Sequence, residues 1–275
     1  MVRRLSRIVR NCTLHFDVNP PNAALFAPID AVGLTNVWPC SRVLVNYLDR
    51  TNTVQGRDVL ELGAGCGIVG ISCAALGAKS VLMTDRLLLT LQATYSPDGE
   101  LNEEKATNPS VLLDLIKRNV EQNREALPHG TALGVAELAW GDVPQAQALA
   151  LPIHGASPPL ILGSDCTFSV PLSSSLFKTV RALLSRSAAP PALALECAVG
   201  GSSSSSSSSS FIAAHQVRLK TSLKSTLALA EEHGLLCREL ETTSFPPSGP
   251  GAGAGSGAGA EREEGGTFVV WEFTL

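Results

Sequence analysis

The residues with the clearest chemical signature form a glycine-rich turn between an apolar run and a helical run. Glu61, Gly63, Gly65 and Gly67 recur at every second position, and Ala64 lies between the first two glycines. Glycine is needed where a chain turns tightly and where a ligand approaches the backbone. A helix that begins after such a turn presents free amide groups and the positive end of its dipole to an anionic group. The spacing therefore predicts a turn that binds a small ligand at the start of a helix.

A carboxylate suited to ribose binding follows the glycine-rich turn. Asp85 closes the next β-like run, 22 residues after Gly63. In doubly wound folds a carboxylate at this distance accepts hydrogen bonds from ribose hydroxyl groups. A dinucleotide fingerprint requires its third glycine in the sixth position, where this chain has Ile68, and Gly67 comes one residue early. Asp85 thus indicates a nucleoside ligand without choosing among nucleoside cofactors, NAD included.

Short apolar runs alternate with helical stretches, and these elements must position the turn and the acid. The runs that favour strands are Asp58–Gly63, Ser80–Asp85, Val135–Trp140, Leu160–Asp165, Ala192–Cys197, Leu235–Thr242 and Thr267–Phe273. Apolar residues at helical spacing occur in Ile68–Leu76, at Leu112, Leu113, Ile116 and Val120, and at Leu219, Leu223 and Leu227. The alternation predicts an α/β fold with a Rossmann-like, doubly wound sheet of seven strands. Only a Pro- and Gly-rich loop separates the last two runs, so we expect a mostly parallel sheet whose last strand is antiparallel.

The length suits one large domain or two small ones, and the composition argues against several classes of protein. The chain has 275 residues, of which 17% are charged, and a formal net charge of -4. This acidic balance argues against a dedicated nucleic-acid-binding protein, which carries a basic face. No apolar run reaches about 18 residues, so we expect no membrane-spanning helix. The seven cysteines include no CxxC pair and no His/Cys cluster, so we expect reduced thiols and no metal site.

Two segments of low complexity interrupt the alternating pattern. Residues 201–210 are almost entirely serine, and residues 248–260 are almost entirely Gly, Ala and Ser. Such side chains offer little apolar surface to offset the entropy of ordering, so we expect flexible surface loops. Apolar runs resume after each segment, which indicates insertions within one domain.

The N-terminal segment carries four arginines and no acidic residue before Asp17. This bias is typical of an organelle transit peptide. The segment is short and holds a single serine ahead of Asp17. A cytoplasmic location is therefore our expectation, with organelle targeting as the alternative.

Five segments occur in the order that one known family shows. They are Val37–Ser41 (VWPCS), Glu61–Gly67 (ELGAGCG), Asn119–Asn123 (NVEQN), Leu138–Asp142 (LAWGD) and Leu160–Phe168 (LILGSDCTF). The second resembles motif I, E-x-G-x-G-x-G, of the class I, seven-β-strand S-adenosylmethionine-dependent methyltransferases. The others resemble the "vWp(a/s)", N-x-x-x-N, L-x-W-G and "D-x-x-Y" segments of methyltransferase family 16, which includes many protein-lysine methyltransferases. The resemblance extends from about Trp38 to Phe168, and Thr267–Leu275 resembles the last strand of that family.

The resemblance implies S-adenosyl-L-methionine as the cofactor and assigns residues to its site. The implied cofactor-binding residues are Trp38, Glu61, Gly63, Ala64, Gly65, Gly67, Asp85, Trp140 and Ser164. In this assignment the glycines hold the methionine end of the cofactor, Asp85 its ribose, and Trp140 lies near its adenine. The implied catalytic residues are Asp165, which would face the substrate amine, and Phe168, which would form an aromatic wall. Phe168 lacks the hydroxyl group that tyrosine supplies in relatives.

The resemblance also implies methyl transfer to a protein nitrogen, with a lysine side chain as the expected acceptor. A small-molecule N-methyltransferase and a non-catalytic, cofactor-binding relative that interacts with proteins stay open as alternatives. Nucleic-acid amino-methyltransferases carry [N/D]-P-P-[Y/F/W] after strand 4, which Asp165–Phe168 does not match, and Asn19–Asn22 (NPPN) lies upstream of the turn. We expect a protein substrate, no nucleic acid, no membrane and a monomer. Residues 1–36 would form an N-terminal extension or lid, and residues 37–275 the methyltransferase domain.

Overall fold

The computed structural model describes residues 4–10, 12–18, 39–86, 110–150, 159–167, 169–187, 209–217, 220–245 and 266–275. The strands within these ranges are β1 (Arg4–Val9), β2 (Cys12–Asp17), β3 (Asp58–Leu62), β4 (Ser80–Asp85), β5 (Ala132–Glu137), β6 (Leu160–Ser164), β7 (Phe211–Gln216), β8 (Leu236–Phe245) and β9 (Gly266–Thr274). The helices are α1 (Pro39–Thr51), α2 (Ile68–Ala75), α3 (Ser110–Asn123), α4 (Val143–Ala150), α5 (Val170–Ser187) and α6 (Lys220–Glu232). A short 3-10 helix, Arg124–Ala126, follows α3.

Seven of the strands form one sheet in the order β5-β4-β3-β6-β7-β9-β8. The first five strands in this order, β5 to β7, are parallel to one another, and β9 is antiparallel to both β7 and β8. The prediction of a mostly parallel, doubly wound sheet whose last strand is antiparallel is confirmed. The chain winds outwards in opposite directions from β3 and β6. In such sheets the crevice at the carboxyl ends of these two strands is where ligands bind.

Helices cover both faces of the sheet. Helices α1, α2 and α3 pack on one face around buried residues such as Leu44 and Ile116. Helices α4, α5 and α6 pack on the other face around Phe177 and Val180. All five residues of β3 are buried, because this central strand is covered on both sides. Among the helices described, none is long and apolar enough to cross a membrane.

β1 and β2 form a separate antiparallel hairpin, and this N-terminal hairpin packs against α1 and α3. Phe16 is fully buried in the same core as the helices of that face. Arg7 donates a hydrogen bond to Oδ1 of Asn46 at 2.8 Å, and Arg10 pairs with Asp49 at 3.2 Å. Two of the four N-terminal arginines therefore bind α1.

β6 pairs with β3 on one side, and the strand on its other side is not the one expected from the sequence. β7, at Phe211–Gln216, pairs in parallel with β6, whereas the apolar pattern placed the fifth strand at Ala192–Cys197, which lies outside the described residues. Three residues connect β7 to α6, a connection length typical of α/β units. A strand at residues 192–197 would leave the whole serine run between strand and helix. The fifth strand of the sheet therefore follows the serine-rich segment.

β5, the third strand of the sheet in chain order, begins and ends three residues earlier than expected from the sequence. β5 spans Ala132–Glu137, whereas the sequence analysis placed this strand at Val135–Trp140. Its register with β4 ends at the pair Asp85–Glu137, so the two parallel strands stop together. Trp140 consequently lies in the turn after the strand.

Candidate functional site

The glycine-rich turn directly follows β3 at the crevice of the sheet. Gly63, Gly65 and Gly67 have φ angles of 72°, 57° and 83°, in the left-handed region that glycine adopts readily. The backbone N–H groups of Gly63 and Ala64 both donate to the carbonyl of Thr84, each at 3.0 Å. The turn is thereby fixed to the end of β4, and α2 begins immediately after Gly67.

The space around Gly63 is filled, whereas the space at Gly65 is open. A Cβ atom at position 63 would lie 2.9 Å from Sγ of Cys166 and 3.0 Å from Cζ2 of Trp140. A Cβ atom at position 65 would meet nothing within 4 Å among the described residues. The indole of Trp140 thus packs on the turn at Gly63. At Gly65 the described residues leave the turn open to a ligand.

Asp85 at the end of β4 is bonded directly to the glycine-rich turn. Its Oδ2 accepts the backbone N–H of Gly65 at 2.7 Å. Burial raises the pKa of Asp85 to about 6, although hydrogen bonds from the backbone N–H groups of Gly65 and Arg86 act in the opposite direction. Near neutral pH the group is therefore mostly a carboxylate, which accepts hydrogen bonds and donates none.

The side chain of Glu61 in β3 bonds to the first turn of α2. Its Oε2 accepts the backbone N–H of Gly70 at 2.9 Å, which satisfies one of the amide groups left unpaired at a helix N-terminus. Burial raises the pKa of Glu61 to about 8, and the charge of Asp85 adds to the increase. Oε1 of Glu61 is buried and has no hydrogen-bond partner among the described residues. Glu61 is therefore largely protonated at neutral pH.

The loop after β6 carries Asp165 in an unusual backbone conformation. Asp165 has a φ of 55°, which is uncommon for a residue with a side chain and persists where the surroundings enforce it. Its backbone N–H donates to the carbonyl of Ala214 at 2.9 Å. Two residues later, the hydroxyl of Thr167 lies 2.8 Å from Nδ1 of His215. The ring of His215 in turn stacks on Trp271 with centroids 5.6 Å apart.

Ser164, the last residue of β6, connects this loop to the first helix of the sheet domain. Its hydroxyl lies 3.0 Å from the hydroxyl of Ser41 near the start of α1. Sγ of Cys166 donates to the carbonyl of Leu62 at 3.2 Å. The ends of β3 and β6 are thus held together on the side of the crevice.

The crevice brings together most of the residues singled out from the sequence. The glycine-rich turn, Asp85, Trp140 and the loop of Ser164 and Asp165 lie at the carboxyl ends of four neighbouring strands. Trp38 and Phe168 lie outside the described residues, as does the segment Asn19–Asn22. Five residues at the site were not singled out by the sequence analysis: Ser41, Thr84, Cys166, Thr167 and His215. His215 had a signal, because a histidine in an apolar strand needs a polar partner.

Asn119 and Asn123 of the N-x-x-x-N segment lie on α3, on the side that faces the N-terminal hairpin and the turn. Asn119 donates to the carbonyl of Cys66 in the turn at 2.8 Å, and Asn123 accepts the backbone N–H of His15 at 2.7 Å. The sequence identified this pair as a motif but gave no partner for either amide. Within the described ranges, no group of three or more His, Cys, Asp and Glu side chains could hold a metal ion.

Comparisons with known proteins agree with this arrangement. Residues 30–96 match the family described as lysine methyltransferase. The chain is 29% identical over 153 residues to "Protein N-terminal and lysine N-methyltransferase efm7" of Aspergillus fumigatus, covering 55% of this chain and 51% of the relative. It is 30% identical over 191 residues to the calmodulin-lysine N-methyltransferase of Arabidopsis thaliana, covering 69% and 52%. It is also 30% identical over 152 residues to the histone-arginine methyltransferase METTL23 of Mus musculus, covering 55% and 48%.

These matches confirm the resemblance to methyltransferase family 16 that the sequence motifs indicated. The chain spans about half the length of the curated relatives it matches. All three relatives are named as methyltransferases of proteins, two of them with lysine as an acceptor and the third with arginine.

Proposed function

We propose that this chain, which resembles methyltransferase family 16 in sequence and has the class I sheet, is an S-adenosylmethionine-dependent protein N-methyltransferase with lysine as its acceptor. One observation carries the proposal: the turn after β3, bonded to Asp85, and the loop of Asp165 after β6 follow the carboxyl ends of two paired parallel strands. In doubly wound sheets this is the place for a nucleoside ligand. The family match and the named relatives support the same class of reaction.

The residues around the turn fit the chemistry of S-adenosyl-L-methionine. Asp85 is a half-buried carboxylate next to the turn, which suits it to accept hydrogen bonds from the ribose hydroxyl groups. The open space at Gly65 allows the methionine end to approach the backbone. We assign Trp140 to the adenine, because its ring already packs on the turn. Glu61 supports the cofactor indirectly, since it fixes the helix behind the turn.

The remaining assignments complete the proposed cofactor site. Ser164 borders the cofactor at the end of β6, and its bond to Ser41 links that edge to α1. Gly63 and Ala64 hold the turn through their bonds to Thr84, and Gly67 closes it by donating to the carbonyl of Ala64. Trp38, which precedes α1 by one residue, is proposed to close the site over the cofactor.

The bound cofactor supplies a methyl group that is already activated by the positive charge on sulfur. The task of the protein is then to align the acceptor nitrogen with that methyl group. A lysine amine has a reference pKa near 10.4, so its deprotonation costs ~4–5 kcal/mol at neutral pH. Asp165 would orient the amine through a hydrogen bond, because a nearby carboxylate alone favours the charged ammonium form. We therefore assign Asp165 to orientation, with Phe168 as an apolar wall.

We extend the proposal to the rest of the chain. Residues 1–36 act as an extension that borders the site, since the N-terminal hairpin bonds to α1 and packs on α3. Residues 37–275 form the methyltransferase domain with low-complexity insertions at 201–210 and 248–260. A cytoplasmic monomer that acts on a protein substrate, without nucleic acid or membrane, is the arrangement we propose.

Transfer of labelled methyl groups to a cell extract tests the proposed function. The full chain with labelled S-adenosyl-L-methionine should label species that protease digestion destroys, which separates protein from metabolite acceptors. Asp165→Ala should lower the rate at least roughly tenfold, because the acceptor loses its orientation. Asp114→Ala, at an exposed acid on α3, is the matched control and should transfer at the parent rate.

Two results would contradict the assignments in that assay. Full turnover by Asp165→Ala would remove Asp165 from the substrate site. Label confined to small molecules would favour the alternative of a small-molecule N-methyltransferase.

A further inference from the structure

The side chain of Asn119 connects the N-terminal hairpin to the glycine-rich turn. It is fully buried. Its Oδ1 accepts hydrogen bonds from the backbone N–H of Asp17 and from the side chain of Gln122, both at 2.8 Å. Its Nδ2 donates to the carbonyl of Asp17 at 3.0 Å and to the carbonyl of Cys66 at 2.8 Å. Both N–H donors and both acceptor lone pairs of the side-chain amide are therefore hydrogen-bonded, so the orientation of the amide is fixed.

The spacing of the two asparagines matches the spacing of the strand that they bind. Asn119 and Asn123 are four residues apart on α3, a rise of about 6 Å. Asp17 and His15 are two residues apart on β2, a rise of about 6.6 Å. Asn123 accepts the backbone N–H of His15 at 2.7 Å and donates to its carbonyl at 2.6 Å. Each amide thus pairs with both backbone groups of one residue, as a neighbouring strand would.

Of these two amides, that of Asn119 also contacts the glycine-rich turn. Its hydrogen bond to the carbonyl of Cys66 fixes the peptide group between Cys66 and Gly67. The N–H of that peptide group donates to the carbonyl of Ala64 at 2.7 Å inside the turn. Ile116, one helical turn earlier on α3, packs on the same place, since a Cβ atom at position 67 would lie 3.1 Å from its Cγ2.

We propose that Asn119 is a positioning residue of the cofactor site, through which docking of the N-terminal hairpin and cofactor binding stabilise each other. The inference rests on the proposed function, because it requires the turn to bind S-adenosyl-L-methionine. A ligand that prefers the ordered turn favours the state in which Asn119 holds Cys66 and Asp17 together. Linkage then requires that the docked hairpin raises the affinity for the cofactor by the same factor.

Binding of S-adenosylhomocysteine to two asparagine variants tests the inference. Calorimetry would be carried out at a temperature below the melting transitions of all the proteins. Asn119→Ala should bind S-adenosylhomocysteine roughly tenfold more weakly than the parent chain, because the turn loses one buried hydrogen bond. Asn123→Ala is the matched control, because it removes equivalent bonds to the hairpin but leaves Asn119 to link the hairpin to the turn. Its affinity should change by less than about threefold, even where its melting temperature falls as far.

Hydrogen exchange on the parent chain gives a second measurement that needs no variant. S-adenosylhomocysteine should slow the exchange of backbone amides in β2, and exchange in β8, at the far edge of the sheet, should stay the same. The inference would be overturned if both variants lost the same affinity for S-adenosylhomocysteine, or if the cofactor product did not slow exchange in β2. Binding by the parent chain would in either case leave the proposed function standing. A parent chain that does not bind S-adenosylhomocysteine would overturn both.

Discussion

The carboxyl groups of Asp85, which is half-buried, and Glu61, which is fully buried, lie beside one turn, yet they differ in charge at neutral pH. Burial raises the pKa of both groups. The backbone N–H groups of Gly65 and Arg86 keep that of Asp85 near 6, whereas Glu61 accepts one such bond and is also repelled by the charge of Asp85. The proposed site therefore has one charged acceptor next to the turn, Asp85, and one neutral group behind the turn, Glu61.

Cofactor affinity should depend on pH through Asp85. The ribose hydroxyl groups bind the carboxylate better than the protonated acid, so the affinity should fall as the pH decreases through about 6, the pKa of Asp85. Asp85→Asn should bind S-adenosylhomocysteine at least roughly tenfold more weakly at pH 7.5 and lose this pH dependence. Calorimetry between pH 5 and 8 measures both effects. A parent affinity that stays constant across this range would remove Asp85 from the ribose site.

Protein stability should depend on pH through Glu61. Its pKa is about 8 in the folded chain against 4.5 for an ordinary glutamate, so between these values the folded state binds more protons than the unfolded state. The contribution of Glu61 to the free energy of unfolding therefore falls as the pH rises from 4.5 to 8. Glu61→Gln keeps a neutral acceptor for Gly70, and its stability relative to the parent should increase over this window. Thermal unfolding of both proteins without cofactor measures the difference, and a constant difference would contradict the assigned protonation.

The glycine-rich turn is the element whose shape the proposed site depends on most. Gly63 and Gly130 both have positive φ angles, 72° and 94°, so alanine should strain the backbone by about 1 kcal/mol at each position. A new methyl group at position 63 would also meet Cys166 and Trp140, whereas at position 130 it would meet nothing within 4 Å among the described residues. Gly63→Ala should therefore weaken cofactor binding at least roughly tenfold, and Gly130→Ala should not.

Titration of both glycine variants with S-adenosylhomocysteine checks this expectation. Melting temperatures measured without the cofactor give the strain that the two substitutions share. Similar affinities for the two variants would mean that the position of Trp140 against Gly63 does not matter for binding.

The apolar runs predict some strands of the sheet correctly and misplace others. The run Asp58–Gly63 was assigned to a strand correctly, because glycines end it and a helix follows. The run Ala192–Cys197 is as apolar as Phe211–Gln216, and periodicity does not decide which of them pairs with β6. The short connection from β7 to α6 is the sequence feature that favours Phe211–Gln216. In the third strand the error was three residues, because the end of β5 is set by its pairing with β4.

For the whole molecule, the order of the strands explains why distant segments form one site. The glycine-rich turn, Asp85 and Asp165 were predictable because each ends a recognisable strand, and parallel strands end at one edge of the sheet. The contacts between Asn119 and Cys66 and between Thr167 and His215 were not predictable. They join segments 53 and 48 residues apart in the sequence, and no local pattern encodes such a pairing.

The identity of the methylated residue tests the central claim of protein-lysine methylation most directly. Extract proteins labelled by the full chain would be hydrolysed, and the labelled amino acid would be identified by mass spectrometry. We predict labelled methyl-lysine, whose amount falls at least roughly tenfold when Asp165→Ala replaces the parent. Labelled methyl-arginine would contradict lysine as the acceptor, and no labelled protein from a chain that binds the cofactor would contradict the proposed enzyme.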